Sequence, residues 1–294
     1  MNHVPPAATG PIPAHARGQI LLGLIGEGIG PSRTPRMQMA EGQAQGLDIR
    51  YDLFDLAQMK LGLADLPKLV NDIEAAGYAG VNVTHPCKQE IIPLLHELSP
   101  DAKALGAVNT VLFRDGKRIG HNTDWSGFSE SFRIRLKNAD LSQAVQIGAG
   151  GAGSAVAYAL LKLGAAKLTL IDADLSRAEA LAQRYISIFP HAVIEAAPAP
   201  EKPMQSATGL VNCTPMGMAA HPGLPLPATL LRRDLWVAEI VYFPLETALV
   251  KTARALGCRV SDGGGMAVFQ AVAAFRLFTG REPDAPRMLA SFTA

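Results

Sequence analysis

An α/β fold with a parallel nucleotide-binding sheet is what the sequence predicts, and three observations lead there. The first is a strand, glycine loop, helix, strand run in mid-chain, Ala144 to Asp172. The second is the rhythm around it, where short apolar runs bounded by Gly, Pro and polar turns alternate with helix-forming runs, as in βα units. The third is length: 294 residues suit two domains or one large one.

Bulk composition narrows the class. Hydrophobic residues make up 48% and charged residues 18%, as in an ordinary soluble globular protein. A net charge of +1 gives no push toward nucleic acid or a membrane surface, and no apolar run reaches the roughly 18 residues of a membrane span. The seven histidines are scattered and Cys87, Cys213 and Cys258 form no CxxC pair, so no metal site or disulfide framework is indicated. A reduced, cytoplasmic setting is the default. Residues 1–17, rich in Pro and Ala, lack the basic and apolar regions of a signal peptide and read as a disordered tail.

After that tail, Gln19 to Ile25 reads as a buried strand. It runs into a glycine-rich loop ending Ser32-Arg33-Thr34-Pro35, where Thr34 is the expected N-cap and Pro35 the first helical residue. Hydroxyls and free N–H groups at such a helix start either cap it or bind a carboxylate. Asp48 to Phe54 reads as a second strand, and Asp65 to Ala76 as a helix capped near Asp65. Gly80 to Thr84 is a third strand, with Asn82 and Thr84 on one side of the pleat. Lys88 begins the next helix, whose apolar face is Ile91, Ile92, Leu94 and Leu95. A lysine at a helix start opposes the dipole, so it is either a solvated surface residue or one with another task. Val111 to Phe113, the turn Asp115-Gly116 and a return strand form a hairpin. It leads to Asp124, which either caps or does chemistry at the head of a helical run to Lys137.

The central unit follows. Ala144 to Ile147 is a strand, Gly148-Ala149-Gly150-Gly151-Ala152-Gly153 the loop, Ser154 to Leu163 the helix and Lys167 to Ile171 the second strand. This is GxGxxG in a βαβ unit of about thirty residues, the dinucleotide-binding (Rossmann) fingerprint. Gly148 allows the tight turn, Gly150 lets backbone approach a pyrophosphate, and Gly153 lets helix and strand pack closely. Asp172 closes the second strand, where a carboxylate accepts from the ribose 2′- and 3′-hydroxyls and repels a 2′-phosphate. That favours NAD over NADP.

Asp174 to Ile188 reads as a helix, with Arg177 placed to lie over the adenine. Val193 to Ala196 is a strand and Pro198 to Pro203 a loop. Gly209 to Cys213 is a strand that breaks at Thr214-Pro215-Met216, on the cofactor side of such a sheet. Trp236 to Val241 is a strand ended by Tyr242, followed by a helix, Glu246 to Leu256, and a short strand, Arg259 to Ser261. Gly263-Gly264-Gly265 then opens a helix from Met266 to Phe278, in which Gln270 faces either a polar cavity or solvent.

Seven motifs together resemble the shikimate dehydrogenase family, and most closely its NAD-using quinate/shikimate dehydrogenase branch. They are SRTP (Ser32–Pro35), NVTHPCK (Asn82–Lys88), GAVNT (Gly106–Thr110), GHNTD (Gly120–Asp124), GAGGAG (Gly148–Gly153), NCTPMGM (Asn212–Met218) and the Gln270 helix. The resemblance implies a two-domain architecture: a substrate domain, residues 18–123 plus 265–294, and a Rossmann-type NAD-binding domain, residues 124–264. It implies that Lys88 is the catalytic lysine and Asp124 its carboxylate partner. Ser32 and Thr34 would hold the substrate carboxylate, with Tyr242 near it. Asn82, Thr84, Lys88, Asn109, Asp124 and Gln270 would meet the ring hydroxyls. Cofactor contacts would come from Gly148 to Gly153, Asp172, Arg177, Cys213, Thr214, Pro215, Met216, Val241 and Gly264.

The implied reaction is hydride transfer at the ring C3 alcohol, between quinate and 3-dehydroquinate and between shikimate and 3-dehydroshikimate. A small-molecule substrate and NAD are thus the partners, with no nucleic acid and no membrane, in a monomer or homodimer. Two departures from the commoner family pattern point to this branch. Thr34 stands where many members have a second serine, and Asp172 to Arg177 stands where NADP-using members have an Asn-Arg-Thr run. An NADP-dependent, shikimate-only biosynthetic enzyme is opposed by Asp172. A methylene-tetrahydrofolate dehydrogenase-like enzyme is opposed by GHNTD and SRTP, and a non-catalytic NAD-binding regulator by the presence of both Lys88 and Asp124.

Overall fold

Strands buried on both faces read as unbroken apolar runs, and β1 (Ile20–Gly26) is one: six of its seven residues are buried. The computed structural model describes residues 18–293, so the expected tail at 1–17 lies outside them. Two units emerge, one comprising residues up to Thr123 together with those from Ala271 onward, the other Asp124–Gln270.

In the first unit β1 is followed by α1 (Thr34–Ala44), β2 (Ile49–Asp55), α2 (Leu56–Met59), α3 (Leu66–Ala75), β3 (Gly80–Val83) and α4 (Cys87–Glu90). Then come β4 (Glu97–Leu98), α5 (Pro100–Leu105), β5 (Thr110–Arg114) and β6 (Lys117–His121). The sheet order is β2-β1-β3-β5-β6-β4. Strands β2, β1 and β3 run parallel, whereas β5 runs antiparallel to both β3 and β6. The Asp115-Gly116 turn has φ of 53° and 71°, the left-handed pair that matches strand twist in a two-residue hairpin. Alternate residues of β1 face two cores. Leu21 and Ile25 pack with Leu69, Val70 and Ile73 of α3, while Leu22 and Leu24 pack with Phe275 and Phe278 from late in the chain.

The second unit holds α6 (Asp124–Arg135), β7 (Ala144–Ile147), α7 (Gly151–Lys162), β8 (Lys167–Ile171), α8 (Leu175–Ile186) and β9 (Val193–Ala196). It continues with α9 (Glu201–Met204), β10 (Gly209–Asn212), β11 (Trp236–Glu239), α10 (Ala248–Leu256), β12 (Arg259–Ser261) and the start of α11 (Gly263–Thr279). All its strands are parallel, in the order β12-β11-β10-β7-β8-β9. Chain direction across the sheet reverses between β7 and β10, the switch point where open α/β sheets bind ligands. The division between units falls inside α11, after Gln270, rather than at 264/265. The glycines thought to precede that helix form its first turn.

Three local readings are corrected and a fourth stands. Arg33, not Thr34, occupies the N-cap of α1 and makes no side-chain capping bond, so Thr34 is the first helical residue. The helix at Lys88 is a single turn, because Pro93 lacks an N–H and the chain continues as a 3-10 turn, Ile92–Leu94. Asp65 does sit at the N-cap of α3, where it was expected, and its carboxylate accepts from the Gly62 N–H behind it. The segment 198–203 is not all loop: Pro200 caps the one-turn helix α9, whose first turn tolerates Pro203.

α12 (Ala285–Thr293) closes the first unit against α1. Its anchor is Glu41, 1% exposed, which accepts from Arg287 Nε and Nη2 at 2.7 and 2.9 Å, from the Asp284 N–H and from Gln45. Burial works to raise the Glu41 carboxyl, but these hydrogen bonds outweigh it and the net shift is downward. A depressed folded value stabilises the fold fully above the ordinary glutamate range, and that stability is lost as pH falls through the lowered value. Glu41→Gln, which turns an acceptor oxygen into a donor facing donors, is expected to cost about 1–3 kcal/mol at neutral pH and less in acid. Thermal unfolding across pH checks this, and an equal loss at all pH values would contradict it.

Candidate active site

In the first unit the candidate side chains gather at one sheet edge. β1, β2 and β3 end there, antiparallel β5 starts there and β6 ends there, with Asn82 registered on Thr110 and Thr110 on His121. The connecting loops are tied across it. Glu27 N–H donates to His85 O, Thr84 N–H to Ile25 O, and Val108 N–H to Lys88 O. The side chains of Ser32, Thr34, Thr84 and Lys88 are half-buried, and those of Asn82 and Asn109 are buried.

The amide of Asn82 is largely spent within the protein. It donates to Thr110 Oγ1 at 2.9 Å and to Asn109 O at 3.2 Å, and it accepts from Tyr51 Oη at 2.7 Å. One lone pair on its oxygen is left for a ligand. Asn109 accepts the Thr123 N–H at 2.7 Å and donates to Thr123 Oγ1 at 2.9 Å. Ser32 Oγ accepts the Thr34 N–H at 3.3 Å.

Sequence reasoning missed Asp55, 1% exposed at the end of β2. Its carboxylate accepts the N–H groups of Gly28, Ile29 and Ala57 and the amide of Gln58, which pins the loop leading to Ser32. The signal was an acid at the very end of a strand, facing a glycine-rich loop.

In the second unit the glycine loop joins β7 to α7. Gly148 has φ of 101°, and a Cβ there would lie 2.6 Å from the Cys213 backbone; one at Gly153 would lie 2.2 Å from Gly148 O. These two glycines serve the fold. A Cβ on Gly150 or Gly151 would meet nothing within 4 Å, and both are exposed at the N-terminus of α7. Open space over N–H groups at the positive end of a twelve-residue helix fits a pyrophosphate. Gln146, a polar residue in a buried strand, braces the loop by donating to Gly148 O and Gly153 O at 2.9 and 2.8 Å.

Asp172 follows β8 and is part of the same loop structure. One carboxylate oxygen accepts the Ala149 N–H at 2.7 Å, the other the Asp174 N–H at 3.0 Å. The carboxylate is thus held in place with lone pairs left over. Arg177 is exposed and pairs with Asp174 at 3.5 Å. Cys213 N–H donates to Ile147 O at 2.6 Å, which brings Cys213 to Met216 beside the glycine loop. A Cβ on Gly263 would lie 2.3 Å from Val241 O, so Gly264 neighbours Val241. Tyr242 is 49% exposed. Gln270 is half-buried and donates to Ala267 O, and Asp124 is buried at the head of α6.

Residues 24–111 match the family model for the shikimate dehydrogenase substrate binding domain, and residues 263–291 that for the shikimate 5′-dehydrogenase C-terminal domain. The chain is 55% identical to a shikimate dehydrogenase (NADP(+)) from Streptomyces avermitilis, over 92% of this chain and 94% of that one. It is 49% identical to a quinate/shikimate dehydrogenase (NAD(+)) from Corynebacterium glutamicum, over 93% of this chain and 98% of that one. Among solved structures, quinate dehydrogenase from Corynebacterium glutamicum in complex with NAD superposes with a TM-score of 0.89 at 48% identity, covering 94% of this chain and 99% of the other.

Proposed function

Since the chain belongs to the shikimate dehydrogenase family, we propose that it is the NAD-using form, oxidising and reducing both quinate and shikimate at the ring C3 alcohol. The observation that carries the cofactor half is the Asp172 carboxylate, held by two backbone N–H groups at the end of β8. A fixed anion there suits a free ribose diol and opposes a 2′-phosphate. The Corynebacterium relatives support the same reading.

When bound, the nicotinamide takes up or returns the hydride. The chain itself supplies proton handling and positioning. We assign Lys88 Nζ to take the hydroxyl proton during oxidation, with Asp124 as its carboxylate partner. Ser32 and Thr34 hold the ring carboxylate with Tyr242, and Asn82, Thr84, Asn109 and Gln270 meet the remaining hydroxyls. Asn82 also orients Asn109 and Thr110.

A second reading is an NADP-dependent shikimate dehydrogenase, favoured by the 55% identity to the Streptomyces enzyme. Initial rates crossing quinate and shikimate with NAD⁺ and NADP⁺ separate the two. Activity on both acids with NAD⁺ preferred supports the proposal, and activity on shikimate alone with NADP⁺ preferred overturns it. Asp172→Asn keeps an acceptor for the Ala149 N–H while removing the charge. It is expected to shift the NAD⁺/NADP⁺ ratio of kcat/KM toward NADP⁺ by roughly tenfold.

A further inference from the structure

Glu239 ends β11 only 2% exposed, and none of the roles above uses it. Its Oε1 accepts the Val241 N–H at 3.0 Å and Asn212 Nδ2 at 2.9 Å, and its Oε2 accepts Thr247 Oγ1 at 3.0 Å. Each of these neighbours offers a hydrogen. The Thr247 oxygen is itself engaged, accepting the Val250 N–H as the cap of α10. Asn212 cannot turn its oxygen toward Glu239 without loss, because that oxygen accepts the Thr214 N–H and hydroxyl at 3.0 and 2.7 Å. The same Asn212 amide also donates to Met216 O at 2.9 Å, and Thr214 Oγ1 accepts the Met216 N–H.

The chain of bonds therefore runs from Glu239 through Asn212 to both ends of the segment Thr214–Met216, which lies beside the glycine loop. We propose that Glu239 is a positioning residue for the cofactor, its ionised carboxylate holding the Cys213–Met216 segment in the shape that receives the dinucleotide. The inference rests on the NAD-binding reading of this unit.

Two opposed forces act on that carboxylate. Burial pushes Glu239 up to about 7, and the Val241, Asn212 and Thr247 hydrogen bonds pull the other way. From β10 the titratable group beside it is the Cys213 thiol, driven upward by its own burial and by Glu239. α10 presents Thr247, and the strand itself presents backbone N–H. Once protonated, Glu239 would meet only one oxygen able to accept, Thr247 Oγ1 through its second lone pair, and a neutral carboxyl accepts the Asn212 bond more weakly than a carboxylate, so acidification slackens that tether.

The test is direct NAD titration of the purified full chain by calorimetry, across roughly pH 6 to 8. Wild-type binding should weaken on the acid side of an ionisation near neutrality. Glu239→Gln places an amide hydrogen against donors, so it should raise Kd about tenfold or more and abolish the pH dependence. Glu239→Asp, which keeps the charge, should lie between the two, and KM for quinate should stay near wild type in both. If Glu239→Gln fails to fold, Thr247→Val serves instead: losing a donor to the carboxylate should move the ionisation to higher pH. A Glu239→Gln Kd within about twofold of wild type, a flat wild-type profile, tighter binding in acid (as repulsion between two anions would give) or an unmoved ionisation in Thr247→Val overturns the inference. A wild-type chain that binds no NAD would instead sink the cofactor reading itself.

Discussion

Lys88→Met is expected to lower kcat by about 10²–10⁴-fold, the usual contribution of a positioned proton acceptor, with NAD affinity unchanged. The substitution keeps the apolar stem and removes only the amine. The backbone at Lys88 is anchored independently, because its carbonyl accepts the Val108 N–H at 2.9 Å and it lies in the short helix after β3. Loss of turnover thus reports on the amine rather than on a displaced loop. Steady-state rates with saturating substrates, alongside an NAD titration, read the two quantities separately. Retained turnover, or lost NAD binding with chemistry intact, would remove Lys88 from the mechanism.

The glycine loop yields the second large effect. Gly150→Val is expected to weaken NAD binding by roughly tenfold or more while leaving Tm near wild type, since its Cβ meets no protein atom within 4 Å. Gly153→Val drives a side chain toward Gly148 O, 2.2 Å from the new Cβ. It should cost about 1–3 kcal/mol or more of stability, seen as a drop in Tm together with lost binding. Both variants lose cofactor; only one loses fold. If Gly150→Val melts early too, the open space above α7 serves packing rather than a ligand.

Much of this was legible in the sequence because local pattern and tertiary role coincide. Gly148, Gly153 and Asp172 are spaced by the geometry of one βαβ unit, so the motif carries the structure with it. The Asp115-Gly116 hairpin is equally local. Thr34 was misplaced because capping residues are recognised by type, and here the helix begins one residue sooner than its best capping candidate suggests. The helix at Lys88 looked longer because four apolar residues hide the break at Pro93. The ties were least legible. Asp55 and Glu239 act on loops far from them in sequence and Gln146 on the loop that follows it, and the only trace of each is a polar side chain in or ending a buried strand. Asp172 illustrates the same limit, since the carboxylate proposed to meet the ribose and the tie of the glycine loop are one residue in the string.

Strand β1 has one face covered by Phe275 and Phe278, which follow the whole second unit in the chain. A ribosome adding roughly 5–20 residues per second needs some tens of seconds, about 12 to 50, to make the stretch between them. The second unit has its last strand, β12, before those phenylalanines are synthesised. Nearly the whole chain must therefore be made before the first sheet can close, and until then β1 keeps an apolar face open to chaperones and to neighbouring nascent chains.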